Sequence, residues 1–251
     1  THVHYLDITG EIDVFELAHS VDEKAHRAKV VLCPGVGFDV VPTDSVAAKL
    51  KQALPDATHL TLGFEGNSGL SKGTAKTAIE SMVGSSRVRR DGRIVPVEMG
   101  SQTRRIDFGA GERLAVGIPW GDVSTAYFTT GIPNIEVFTA TSQKQLDGMR
   151  RTKWLAPIIR QRWAQAVAKR VVDARLRPPD KTQRDNNPSF IWGEARNAAD
   201  TDLGSNLPLG SMHGANADLI SRAVYEAVIT HVGAAENLED DVTLVIVSRA
   251  L

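Results

Sequence analysis

Apolar positions along this chain follow two different periods, and the period changes where the architecture is expected to change. Residues 3–8 form a short apolar stretch. Residues 12–28 then carry Val14, Leu17, Ala18, Val21 and Ala25 at helical spacing. A second apolar run, Val30-Val31-Leu32-Cys33, feeds the turn Pro34-Gly35-Val36-Gly37 and a helical pattern over residues 45–54. Two strand–turn–helix units in 54 residues fit the closing part of a doubly wound parallel sheet in an α/β protein.

From residue 58 the texture differs. His59-Leu60-Thr61-Leu62-Gly63-Phe64 reads as a strand, followed by a Gly-rich loop over residues 66–74 and a helix over 75–83. Residues 87–140 are rich in short strands: 94–97, 104–108, 114–118 and 135–141, with Arg90-Asp91-Gly92-Arg93 as a hairpin turn. This succession predicts an α+β unit with a mostly antiparallel sheet. Residues 150–177 read as one or two basic amphipathic helices with Leu155, Ile158, Ile159, Trp163, Val167 and Val171 in a stripe packed on the domain. Residues 190–196 read as a further strand, 218–232 as a helix and 242–247 as an apolar strand. The expected division is therefore 1–54, 55–197 and a separate tail, 198–251.

Composition narrows the class. The chain has 251 residues, 42% hydrophobic and 24% charged, with a net charge of −1, so no general attraction to nucleic acid or acidic membranes follows. A lone cysteine, Cys33, excludes an internal disulfide and reads as a small buried hydrophobe in an apolar strand. The seven histidines are scattered without ligand spacing, so no metal is inferred. No run is long enough to span a bilayer and no leader pattern opens the chain, so the expected location is the cytoplasm. The chain opens at Thr1 just ahead of a strand-like segment, and the expectation is that part of the first domain precedes it.

Several constellations could carry chemistry. The glycines of Pro34-Gly35-Val36-Gly37-Phe38-Asp39 permit close backbone approach ahead of a helix N-terminus, which suits an anion or simply a tight connection. Residues 1–60 contain no G-x-G-x-x-G, so this is not a dinucleotide fingerprint. Ser71-Lys72-Gly73-Thr74 could hold a phosphate or carboxylate, or cap a helix. Ile118-Pro119-Trp120-Gly121-Asp122 places an aromatic ring and a carboxylate in what reads as a loop, suited to a substrate pocket or to a turn pinned by tryptophan. The basic residues of 150–177, with Trp154 and Trp163, suit an anionic lipid surface or an acidic acyl carrier.

These motifs together resemble the saccharopine dehydrogenase-like oxidoreductases, a group that includes trans-acting enoyl reductases of lipid synthesis. Asp7, Thr9, Gly10 and Glu11 match one motif, and Pro34, Gly35, Gly37, Phe38, Asp39, Pro42 and Asp44 match another. Ser71-Lys72-Gly73-Thr74, Ile118 to Asp122 and Trp192-Gly193-Glu194-Ala195-Arg196 extend the likeness over about four-fifths of the chain. The resemblance implies a Rossmann-like sheet, NADP or NAD as the cofactor, and hydride transfer between its reduced form and a C=C or C=N bond, with enoyl reduction of an acyl lipid as the expected reaction. It implies cofactor contacts at Asp7, Thr9, Gly10, Glu11, Pro34, Gly35, Gly37 and Phe38, and substrate contacts at Ser71, Gly73, Thr74, Trp120 and Asp122. Asp39 and Lys72 are the expected groups for proton transfer or carbonyl polarisation. A homodimer is expected; the family's Gly-rich fingerprint would lie ahead of Thr1, so hydride transfer by this chain is expected to be weak or lost.

The tail departs from that family. Glu239-Asp240-Asp241-Val242-Thr243 resembles the end of PP2C-type serine phosphatases, where the residue matching Asp240 binds a metal; its partners are not recognisable upstream. A non-catalytic dimerising or lipid-surface module, and a phosphatase remnant in the tail, are therefore the alternatives to an oxidoreductase.

Overall fold

Tyr5 and Leu6 lie beside Leu32 and Cys33 in a parallel pair, β1 (Tyr5–Leu6) and β2 (Leu32–Cys33). The computed structural model of the chain describes residues 3–37, 40–66, 85–109, 111–152, 161–175, 189–199 and 202–204. Both strands are shorter than the apolar runs that predict them. The contact continues past their ends through single bonds: Val31 N–H to His4 Nδ1 at 3.0 Å, and Val36 N–H to the Asp7 carbonyl at 2.8 Å.

The helix expected over 12–28 is two helices, α1 (Ile12–Ser20) and α2 (Asp22–Ala28). Ser20 Oγ donates to the Leu17 carbonyl at 2.7 Å, which draws that acceptor out of the helical ladder. Asp22 and Glu23 then favour a fresh N-terminus. The break at Val21 resets the helical phase. Ile12 and Phe15 are buried on α1, while Leu17, predicted to face inward, is 64% exposed. Helix α3 (Val41–Ala53) begins four residues ahead of the expected start, with Pro42 in its first turn, where the missing N–H costs nothing.

The larger sheet follows the order β10-β9-β3-β8-β4-β5. Its strands are β3 (Ala57–Gly66), β4 (Ser86–Arg90), β5 (Arg93–Val97), β6 (Thr103–Asp107), β7 (Glu112–Gly117), β8 (Asn134–Ala140), β9 (Ser189–Asn197) and β10 (Asp202–Gly204). The β3–β8 pair is parallel; the other pairings are antiparallel. Strand β8 takes β4 near its start and β7 near its end, so the β4–β5 and β6–β7 hairpins share one edge. The expected fold class holds: a parallel pair, then a larger, mostly antiparallel sheet with helices.

Of the run read from the sequence as a loop, only residues 118–121 lie outside helix and strand. Helix α4 (Asp122–Thr130) starts directly after Trp120-Gly121, with Val123 and Ala126 in the core, and ends at Gly131 in the left-handed region (φ 69°). On one face of the sheet Leu60, Leu62, Ile135, Val137 and Ala195 pack under Val46, Ala47 and Leu50 of α3, Val123 and Ala126 of α4, and Ile12 of α1. On the other face Ile106, Phe108, Ala115, Phe138 and Trp192 form a second core, beside a bidentate pair in which Arg104 Nη1 and Nη2 reach Glu194 at 3.2 and 2.8 Å.

The basic region holds α5 (Gln143–Thr152), which starts earlier than expected, and α6 (Arg162–Arg175). The stripe of Trp163, Val167 and Val171 is exposed, not packed on the domain as expected. Leu155, Ile158 and Ile159, and the stretches 75–83 and 218–232 expected as helices and 242–247 expected as a strand, lie outside the described residues.

Candidate functional site

The candidate site is built where β1 and β2 end. Asp7 leaves the strand and clips both outgoing loops together. Its Oδ1 accepts the backbone N–H groups of Thr9 and Gly35, each at 2.9 Å, and its Oδ2 accepts the Tyr5 hydroxyl. Thr9 Oγ1 accepts the Glu11 N–H at 3.2 Å, which sets the entry into α1. Asp7, Thr9, Glu11 and Gly35 are thus one connected network, although Asp7 and Gly35 are 28 residues apart.

The glycines explain how three segments come so close. Gly35 has φ +74°, and a Cβ there would sit 2.5 Å from Phe15 Cζ and 3.2 Å from the Thr9 carbonyl. A Cβ on Gly121 would sit 2.6 Å from Phe15 Cε2 and 3.2 Å from the Gly10 carbonyl. Gly37 leaves room for Ile8, whose Cβ is 3.1 Å from the position a Cβ would take. Phe15 is therefore wedged between the Gly35 turn and the Gly121 segment. Gly35, Gly37 and Gly121 accommodate this chain's own side chains, so the space that glycine leaves at these positions is filled from within.

A nicotinamide cofactor has an uncharged ring, two riboses and a pyrophosphate, and the described residues suit these parts unequally. Ile8 is 69% exposed beside the turn and offers apolar surface to a ring. The exposed Glu11 carboxylate can accept ribose hydroxyls. The pyrophosphate finds no matching donor set here. The first turns of α1, α3 and α4 carry Asp13, Asp44 and Asp122, which oppose an anion at the positive helix ends. The fit is to the nicotinamide–ribose end alone.

Of the other expected site residues, Trp120 packs its ring 5.0 Å from Phe64, at the margin of the core. Asp122 is fully buried at the start of α4, directly after Gly121. Pro34 lies half-buried in the turn that carries Gly35. Phe38, Asp39, Ser71, Lys72, Gly73, Thr74 and Asp240 lie outside the described residues.

Titration at the site follows local chemistry. Its hydrogen bond to the Asp7 carboxylate raises the Tyr5 phenol pKa, with smaller help from burial and the Asp7 charge. Burial, then the Asp7 charge, raises the Cys33 thiol, which keeps it protonated and poorly nucleophilic. Burial also raises the Asp44 carboxyl, against the lowering effect of the Thr129 and Thr125 hydroxyls; Thr129 Oγ1 donates to Asp44 Oδ2 at 2.6 Å. Asp44 belongs to the quoted motif, but its partners on α4 were not readable from the sequence. Among the described residues no group of three or more His, Cys, Asp or Glu side chains is placed to hold a metal ion.

No protein-family model and no curated protein matches the chain. Among solved structures, one similar chain is apo histidine-tagged saccharopine dehydrogenase (L-Glu forming) from Saccharomyces cerevisiae. It shares 8% identity over 73% of this chain, with a TM-score of 0.41. The present chain covers 60% of that structure's length.

Proposed function

We propose that this chain serves hydride transfer between NADPH or NADH and a C=C or C=N bond, with an enoyl group on an acyl lipid as the substrate class. The observation that carries the reading is the convergence of three segments at the carboxyl ends of β1 and β2: Thr9 to Glu11, the Gly35 turn and the Gly121 segment. That is the edge at which parallel α/β sheets take their ligands. In this reading residues 1–54 close a dinucleotide-binding domain, residues 55–197 form the substrate and dimer-forming domain, and the tail plays no part.

When bound, the cofactor supplies the redox chemistry through its nicotinamide ring. The chain's own residues have other tasks. Glu11 receives ribose hydroxyls and Ile8 covers one side of the ring. Asp7 acts indirectly: by holding Thr9 and Gly35 it fixes the loops that present Glu11 and Ile8. Asp39 and Lys72 are proposed to supply a proton or polarise the acceptor, as the motifs that contain them suggest.

The experiment offers the full chain NADPH deuterated at the transferable position together with a trans-2-enoyl thioester. The expected result is one deuterium in the saturated product. Unreduced thioester with unoxidised nucleotide, at every enzyme concentration, contradicts the reading. Unchanged turnover in Asp39→Asn and Lys72→Met variants would remove those two residues from it while leaving the reaction standing.

A further inference from the structure

Helix α6 presents an apolar crest to solvent. Trp163, Val167 and Val171 are 64, 52 and 46% exposed and follow one another every four residues, so they share one line about 12 Å long on the helix surface. Arg170 is exposed on the same side, while Ala164, Ala168 and Val172, on the neighbouring face, are half-buried. The helix therefore holds its largest apolar side chains outward, on the more exposed of these two faces. Isolated exposed apolar residues need no explanation, but a tryptophan and two valines in register on one face do.

Charge identifies the partner. Residues 150–185 contain eleven Lys and Arg against three Asp, a surplus of eight positive charges. The whole chain is at −1, so the remainder carries −9. An anionic surface attracts this segment, whereas the net charge of the remaining residues opposes it. A second copy of the chain would bring the same surplus against itself. Its crest is also far smaller than the roughly 1,200 Å² of buried surface that stable protein interfaces begin at. A fluid lipid surface asks for no matching shape: it accepts an indole and two short aliphatic side chains at headgroup depth while the cations stay among anionic headgroups. Among the described residues no helix is long and apolar enough to cross a membrane, so this helix would lie on the surface.

We propose that α6 is a docking face for anionic lipid bilayers, with Trp163, Val167 and Val171 inserting at the interface and Arg170 among the headgroups. This goes beyond the catalytic reading and does not depend on it.

The test is co-sedimentation of the full chain with vesicles of phosphatidylcholine alone, or of phosphatidylcholine with an equal share of phosphatidylglycerol. The expected result is roughly tenfold stronger partition onto the anionic vesicles, reversed by high salt. A combined Trp163→Ser, Val167→Ser, Val171→Ser variant should lose roughly tenfold in partition, and Arg170→Glu roughly fivefold. A second readout needs no disruptive change: brominated lipid should quench fluorescence in the unaltered chain that is missing in Trp163→Phe. Equal partition onto neutral and anionic vesicles, or full binding by the triple variant, would overturn the proposal. Self-association, or capture by an acidic polypeptide, that the triple variant abolishes while vesicle binding is absent would overturn it too.

Discussion

Arg89 Nη2 lies 2.9 Å from Glu16 Oε1, joining β4 to α1 across a sequence separation of 73 residues. The guanidinium is almost fully enclosed. Its Nε donates to the Val123 carbonyl at 2.8 Å and its Nη1 to the Gly92 carbonyl at 2.7 Å, while the Tyr127 ring lies 4.2 Å from its central carbon. Ser124 Oγ donates to the same Glu16 oxygen at 2.6 Å. One side chain thus ties α1, α4 and the β4–β5 turn, and through α1 it fixes Phe15, the wedge of the candidate site.

Replacing Arg89 with leucine removes its hydrogen bonds to the Val123 and Gly92 carbonyls and leaves Glu16 without its cation. The expected cost is about 3 kcal/mol in urea unfolding, against about 1 kcal/mol for Glu16→Gln, whose carboxylate is partly solvated. Equal, small losses in both variants would show that the guanidinium is not the joint described.

Asp7 is expected to matter to stability whether or not a cofactor is bound. Asp7→Ala removes the acceptor of two backbone donors and should cost about 2 kcal/mol, while Asp7→Asn, which keeps one acceptor oxygen, should cost less. Denaturant midpoints of the two variants without nucleotide check the order. An unaltered midpoint in Asp7→Ala would mean that the clip carries no free energy.

Phe15 and Gly121 make a coupled pair. Gly121→Ala forces a methyl group to 2.6 Å from the Phe15 ring and should cost about 2 kcal/mol. In a Phe15→Leu background the added cost should fall to about 1 kcal/mol or less, giving a coupling energy that a double-mutant cycle reads directly. Additive losses would place the clash elsewhere.

Asp44 gives a pH signature. Its folded-state pKa is raised, so the folded chain binds a proton more readily than the unfolded chain does. The stability from the protonated group is complete below the ordinary aspartate pKa and is lost as pH rises through the raised folded value. Asp44→Asn should therefore melt higher than the unaltered chain at neutral pH, and the difference should vanish on acidification. A difference that grows toward acid would reverse the assignment.

What could be read from the sequence was what local chemistry decides. Asp91-Gly92 between β-type runs predicts a two-residue hairpin turn, and both residues have positive φ, 48° and 75°. The alternating strand of residues 57–66 and the apolar face of α3 were legible for the same reason. The break at Val21 was hidden because a single serine hydroxyl decides it. Helix α4 was hidden because Gly121 and the run of Ser and Thr read as loop, while its stability comes from Val123 and Ala126 packing on strands distant in sequence. The glycine motifs were visible as motifs, but their reason was not. Gly193 resembles a family signature, yet the space where its Cβ would lie is closed by Val46 Cγ1 at 2.5 Å and Leu50 Cδ1 at 2.8 Å, a close approach of α3 to β9. Pairings across dozens of residues, such as Glu16 with Arg89 or Asp44 with Thr129, leave no local trace.

In the proposed function the ends of β1 and β2 take the nicotinamide end of a dinucleotide. Titrating the full chain with NADPH and with NADH, following nicotinamide fluorescence, tests it most directly. Saturable binding of at least one of them is expected, weakened by Glu11→Gln and not by Arg170→Glu. Fluorescence that stays proportional to added nucleotide for both cofactors, in a chain shown to be folded, would contradict it.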